Sequence, residues 1–287
     1  MKARANFPVT TTGGTVMGGR PAPALDARTV RGAHVSATPP LVEALAGLID
    51  AHGTLYDWAA NQPQPRALRG RAPVYVAHIT AAHETVVVRH AWHGGLFAPI
   101  TGDRFRGTRR ASREFLTSAM LRDLGVPTTE VLGFASYPAT CGLRRVDVVS
   151  RFLPDAFDLG LILAGLVPGM MREDALAATG VLLTRLAVAG VVHPDLNVKN
   201  VLVRREVDGT LTALIIDVDV VRMQPPLMAA HTMQANLSRL VRSMRKWRSR
   251  FGCDLPDARL DQFSRTALDM IVSSTTVSSA SVSSASP

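Results

Sequence analysis

The stretch VVHPDLNVKNVLV, residues 191–203, sets a histidine, an aspartate, two asparagines and a lysine between two apolar runs. Asp195 and Asn200 stand five residues apart on a segment that leads into a strand. Downstream, LIIDVDVV ends a second strand on Asp217 and Asp219. VLVRREV and LTALIID are joined through Asp208-Gly209, a strong hairpin turn. The end of the second strand then returns to the start of the first, so Asp217 is expected beside Asn200. Asn200 and Asp217 offer hard oxygen ligands suited to Mg²⁺, and Asp195 is placed to take a proton from a hydroxyl. Phosphoryl transfer asks for this set, because the protein's work there is to position an alcohol and neutralise phosphate charge. Each residue alone has an ordinary reading as a turn or cap. The order Asp-x4-Asn, hairpin, acidic pair is what singles them out.

The elements that must position these groups divide into a strand-rich first half and a helical second half. LVEALAGLIDAHGTLYDWAA (41–60) has apolar residues at helical spacing. APVYVAHIT (72–80) and ETVVVRH (84–90) are β-branched runs separated by a short turn. A Gly-rich loop, HGGLFAPITGDRFRG, precedes the helix SREFLTSAMLRDLG (112–125), which Gly125 and Pro127 stop. EVLGFASY and RRVDVVSRF read as another strand pair, and helices are expected over 172–190 and 236–251. The fold class is α+β, with an N-lobe at about 41–152, a C-lobe at about 153–272 and a cleft between them. Residues 1–40 read as a flexible extension, and the tail 273–287, SSTTVSSASVSSASP, as a disordered Ser-rich segment.

At 287 residues and 47% apolar content the chain can build a core of ordinary size. Its net charge of +9 favours an anionic partner without choosing among phosphate, membrane surface and nucleic acid. Only Lys2, Lys199 and Lys246 are lysines, which restricts the choice of a phosphate-binding lysine. Cys141 and Cys253 stand far apart outside any CxxC or Cys/His cluster, so neither a disulfide framework nor a zinc site is indicated, and a reducing cytosol is the simplest setting. The N-terminus lacks a signal-peptide core, and the longest apolar run, LGLILAGLVPGMM (159–171), falls short of the ~20 residues of a membrane span. Membrane association is expected to be peripheral.

The H-x-D-L-x-x-x-N pattern followed by an acidic position resembles the catalytic core of the protein-kinase-like fold. Within that superfamily, RHAWHGGLFAPITGDRFRG, REF, LGVPTTEVLGFA, RFLPDAFDL, HPDLNVKNVLV and IIDVDVVR resemble the lipopolysaccharide kinases, in particular the 3-deoxy-D-manno-octulosonic acid (Kdo) kinases, over roughly 72–250. The resemblance implies a two-lobed fold, ATP and Mg²⁺ as cofactors, Asp195 as base, Asn200 and Asp217 as metal ligands, and His193 as a support of the loop. It also asks for a basic residue on a strand, gripping phosphates and held by an acidic residue on the next helix. Arg89 and Glu114 occupy those places, with arginine where protein kinases use lysine. Gly70, Gly94 and Gly95 are the candidates for a nucleotide lid, RFLP (151–154) for the hinge between lobes. Lys199 either approaches the transferred phosphate or faces solvent. Asp219 is a second metal ligand or a loop organiser.

In NLSRLVRSMRKWRSRF (236–251), Leu237, Leu240, Val241, Met244, Trp247 and Phe251 form a helical stripe. Six cations, Arg239, Arg242, Arg245, Lys246, Arg248 and Arg250, occupy much of the remainder and suit anionic lipid head groups or a phosphorylated glycolipid better than nucleic acid. The expected activity is phosphorylation of a Kdo or core-sugar hydroxyl on a lipid A precursor, at the cytoplasmic face of the inner membrane. A small-molecule kinase of the aminoglycoside or choline type and a noncatalytic nucleotide-binding module at the membrane are the alternatives.

Overall fold

The computed structural model describes residues 24–68, 73–92 and 102–283. The expectations for residues 1–23 and 284–287, and for Gly70, Gly94 and Gly95, lie outside the described residues. Among the described residues, seven antiparallel strands form one sheet in the order β1 (Asp26–Val30), β2 (Ala33–Ala37), β6 (Val131–Pro138), β7 (Arg144–Arg151), β5 (Glu84–His90), β4 (Val74–Ile79) and β3 (Arg66–Leu68). Helices α1 (Pro39–His52) and α2 (Leu55–Ala60) cover one face, through a core that includes Val35, Leu45, Leu55, Val86 and Val88. Helix α3 (Arg109–Asp123) covers the other, where Phe115 meets Phe134, Val146 and Val148. Alternation along β5 therefore decides the geometry. Val86 and Val88 point to α1 and α2, so Arg89 must point to α3 and the cleft.

The second lobe is mainly helical and has its own core. It contains α4 (Leu159–Leu163), α5 (Arg172–Val188), α6 (Ala229–Phe251) and α7 (Asp257–Ser283). The hairpin β10 (Val201–Arg205) and β11 (Leu211–Ile215) forms as expected, with β8 (Ala156–Asp158) added on the far side of β10. A two-stranded pairing of β9 (Val191–Val192) with β12 (Arg222–Met223) closes the base of the cleft. The α+β, two-lobed organisation stands.

Several boundaries differ. The sequence reads as a flexible extension through residue 40, yet 26–37 is a hairpin turning at Arg31 and Gly32, both at positive φ, the pair a two-residue hairpin turn requires. Ala33, Val35 and Ala37 are buried, so the N-lobe starts near residue 26 rather than 41. The helix expected over 41–60 is two helices. Gly53 at φ +86 ends the first, and Thr54 caps the second by accepting from the Asp57 N–H at 2.9 Å. The helices expected from 112 and 236 begin at 109 and 229. The segment read as a disordered tail continues α7 to Ser283; its packed stripe, Leu260, Phe263, Ala267 and Ile271, ends before it.

Candidate active site

The loop between β9 and β10 is built around one carbonyl. Asn197 Nδ2 and Asn200 Nδ2 both donate to the Asp195 carbonyl oxygen at 2.9 Å, and Asn197 Oδ1 accepts from the Lys199 N–H at 3.0 Å. Those bonds close the turn and leave the Asp195 carboxylate exposed, with no hydrogen-bond partner among the described residues. His193 anchors the loop from below. Its N–H donates to Asn236 Oδ1 at 3.0 Å, and its Nε2 donates to the Ile216 carbonyl at 3.1 Å. Burial lowers its pKa, opposed by that carbonyl and the nearby Asp217, so the ring is neutral. It supports the loop, as expected.

The β10–β11 register, Val201 opposite Ile215, continues as a bond from the Ile216 N–H to the Asn200 carbonyl at 3.0 Å. Asp217 therefore follows directly beside Asn200. It adopts the left-handed conformation, φ 58 and ψ 46, one that aspartate tolerates better than most residues. Its carboxylate has no hydrogen-bond partner among the described residues, and neither does Asn200 Oδ1, since the amide nitrogen is committed to Asp195.

Across the cleft, Arg89 Nη2 donates to both carboxylate oxygens of Glu114 at 2.7 Å. Glu114 pushes the guanidinium further above its ordinary value, with Asp217 and Asp219 adding to the effect and burial opposing it. Burial raises the Glu114 carboxyl above its ordinary value, and Arg89 opposes that. Arg89 lines a narrow pocket together with Phe105, Arg110, Glu114 and Val148.

Asp219 is buried, and one of its oxygens accepts from Arg110 Nε at 2.5 Å while the other has no partner among the described residues. Its observed contact is that of the loop organiser. Arg113 adds a bond from Nη2 to the Val221 carbonyl at 3.0 Å, so α3 holds the 217–221 segment by two points. Arg110, Arg113 and Glu114 share one helix face by their i, i+3, i+4 spacing, a signal readable in RRASREF but not used. Asn236 was missed as well. It is fully buried, donates to the Val191 carbonyl at 2.7 Å and receives the His193 N–H.

Lys199, which the sequence leaves between the transferred phosphate and solvent, is exposed. Its Nζ lies 5.5 Å from the centre of the Trp247 ring, on the side of Asp158. The basic helix also differs from expectation. Arg245 and Arg248 pair with Asp257 at 3.4 and 3.2 Å, and Arg239 donates to the Ala235 carbonyl at 2.6 Å. Arg242, Lys246 and Arg250 remain exposed.

The donor set suits a hard divalent cation. Asn200 Oδ1 and the Asp217 carboxylate are two adjacent hard oxygens without protein donors, and Mg²⁺ commonly takes one or two protein ligands and completes its shell with phosphate oxygens and water. Among the described residues no three His, Cys, Asp or Glu side chains converge on one point, so the ion would rest on these two. An exposed carboxylate, a hard-ligand pair and a guanidinium held opposite them form a set that can move a phosphoryl group.

A family model described as the lipopolysaccharide kinase (Kdo/WaaP) family matches residues 58–266. A 3-deoxy-D-manno-octulosonic acid kinase of Vibrio vulnificus (strain YJ016) is 30% identical over 196 residues, covering 67% of this chain and 77% of its own length. Another of the same description, from Stenotrophomonas maltophilia (strain K279a), is 33% identical over 175 residues, covering 59% and 66%. A solved structure described as WaaP in complex with acyl carrier protein is 14% identical, with a TM-score of 0.39, over 72% of this chain and 89% of that one.

Proposed function

The chain belongs to the lipopolysaccharide kinase (Kdo/WaaP) family and is a phosphotransferase, and from that premise we propose that it transfers the γ-phosphoryl group of ATP to a Kdo hydroxyl of a lipid A precursor. The observation that carries this reading is the pairing across one cleft of an unengaged Asp195 carboxylate with Asn200 and Asp217 on one side and Arg89–Glu114 on the other.

Asp195 orients the acceptor hydroxyl and receives its proton as the oxygen bonds to the γ-phosphorus. The bond from that phosphorus to the bridging oxygen breaks, and ADP leaves with the electron pair. Arg89, oriented by Glu114, neutralises the phosphates of the donor. Mg²⁺ held by Asn200 and Asp217 would supply further charge neutralisation on the phosphate oxygens. His193 and Asn236 keep the loop in place beneath Asp195.

The lipid A precursor of this reading carries lipid chains, and the reading accordingly sets the reaction at a membrane surface, the cytoplasmic face of the inner membrane. Among the described residues no helix is long and apolar enough to cross a membrane, and the exposed Arg242, Lys246 and Arg250 of α6 suit a peripheral contact. Incubation with ATP, Mg²⁺ and Kdo–lipid A, followed by mass spectrometry, tests the assignment. One added phosphate on the Kdo sugar is expected. Transfer to a soluble aminoglycoside or choline, with none to the glycolipid, would select the small-molecule alternative.

A further inference from the structure

Just past the Asp217 segment the chain makes an exposed apolar turn that the reaction above leaves without a role. Leu227 is fully exposed, Met223 is 46% and Met228 38% exposed, and Val188, at the adjoining end of α5, is 51% exposed. The backbone that carries them is nevertheless fixed. The Gln224 N–H donates to the Gly190 carbonyl at 2.7 Å, and Gly190 stands at φ +68, where a Cβ would run into the Gln224 carbonyl oxygen. On the other side, β12 pairs with β9, and Arg113 Nη2 holds the Val221 carbonyl at 3.0 Å. The apolar side chains are thus held out in water by a rigid mount.

The backbone of the turn suits an apolar medium as well. Pro225 and Pro226 have no N–H, the Gln224 N–H is taken by Gly190, and the Met228 N–H donates to the Pro225 carbonyl at 2.9 Å. Over 224–228 only Leu227 keeps an N–H without an internal partner among the described residues. Lipid penalises each unpaired backbone donor, so a segment with so few of them is suited to enter it.

Charge identifies the partner. Positions 220–253 hold seven Arg or Lys and no Asp or Glu, and Arg222, Arg242, Lys246 and Arg250 among them are exposed. Exposed apolar side chains beside cations match an anionic bilayer, whose acyl layer takes the first and whose head groups take the second. A protein partner fits less well, because the turn 222–228 is small beside the roughly 800 Å² per partner of a stable interface. The turn also lies close to the candidate site. Arg222 is opposite Val192, three residues before Asp195, so the Cα atoms of Arg222 and Asp195 are within about 16 Å.

Deepening the reading of a lipid-borne acceptor, we propose that Met223, Leu227 and Met228 insert into an anionic phospholipid bilayer with Arg222 at the head groups. The turn thereby keeps the Asp195 loop near the surface in which that acceptor is held.

The test is sedimentation of the full chain with phosphatidylethanolamine–phosphatidylglycerol vesicles, without nucleotide or glycolipid, beside L227Q and the double variant M223Q/L227Q. Leu227 and Met223 are exposed, so the variants should keep the parent's thermal midpoint. Partition should fall about tenfold in L227Q and further in the double variant. That loss should persist at about 0.5 M salt, whereas R222Q should weaken binding only at low salt. L227W should show added fluorescence that brominated acyl chains quench. Equal partition of the parent and M223Q/L227Q, or no partition of the parent, would overturn the proposal. Dimerisation of the parent that L227Q abolishes, without vesicle binding, would overturn it in favour of a contact between copies. For Kdo–lipid A in the same vesicles, L227Q should turn over about tenfold more slowly, with KM for ATP unchanged. Normal turnover by the parent, with partition and turnover unaltered in the variants, refutes the membrane turn and leaves the kinase reading intact. A parent that partitions through Leu227 yet transfers no phosphate supports the membrane turn and sinks the acceptor assignment.

Discussion

Arg110 on α3 donates to the buried carboxylate of Asp219 at 2.5 Å, tying the helix that carries Glu114 to the segment that carries Asp217. Two parts of the candidate site, one from each lobe, are thereby set by one ion pair. R110A leaves a buried carboxylate without its donor and should cost about 1–3 kcal/mol of stability. D219N in the same background should recover part of that loss. A double-mutant cycle in urea checks the coupling, and additive effects would show that the two residues act separately.

The Asp195 carboxylate makes no hydrogen bond to the described residues, so its removal should change chemistry and not fold. D195N is expected to lower kcat by ~10²–10⁴-fold, the range for a general base, with ATP binding and thermal midpoint near those of the parent. Isothermal titration with a nonhydrolysable ATP analogue, beside a turnover assay, separates the two effects. Retained turnover sinks the assignment.

Arg89 should be costly to replace on two counts. R89M strands the buried Glu114, with a stability loss at or below the roughly 3–5 kcal/mol of a broken buried pair, because Arg89 is itself partly exposed. KM for ATP should rise as well. Adding E114Q should restore stability but not KM, since the phosphate contact stays absent. R89K keeps the charge and should fall between R89M and the parent.

His90 sits between two carboxylates, with Nδ1 2.6 Å from Asp147 and Nε2 3.1 Å from Asp103. Arg145 also pairs with Asp103, and the Tyr56 N–H donates to Asp147, which is fully buried. Burial works against the charged ring, but the two carboxylates outweigh it and the pKa is raised above 6.5. A base with a raised folded pKa contributes stability that is full below its unfolded value and lost as pH rises through the folded value. Unfolding free energy should therefore decline from about pH 6.5 upward. In H90Q that part of the slope should disappear. Urea melts across pH 5.5–9 give the comparison, and an identical slope in both proteins would refute the ionic role of His90.

Much of the site was legible because it is local. Asp195, Asn200 and Asp217 follow from a loop, a turn signal and a strand register, and a short hairpin turn permits few registers. Arg89 and Glu114 were named from a resemblance, and alternation in ETVVVRH carries the same choice physically, since burying Val86 and Val88 leaves Arg89 on the other face. The hairpin at 26–37 is hard to read because alanine, aspartate and glycine are weak strand formers, and its order comes from pairing with β6 and from burying Ala33, Val35 and Ala37 against α1.

By itself the sequence determined the two-lobed α+β organisation, the order of the candidate loop and hairpin, and the residues proposed to hold phosphate and metal. These depend on periodicity, turn chemistry and short spans. Only the tertiary structure decided what pairs with what across the chain. Arg110 meets Asp219 over 109 residues, Arg245 and Arg248 both pair with Asp257, and Lys199 stands over the Trp247 ring. A cation's partner is set by whichever acceptor the packed helices bring within a few ångströms, and spacing along the chain carries no record of that distance.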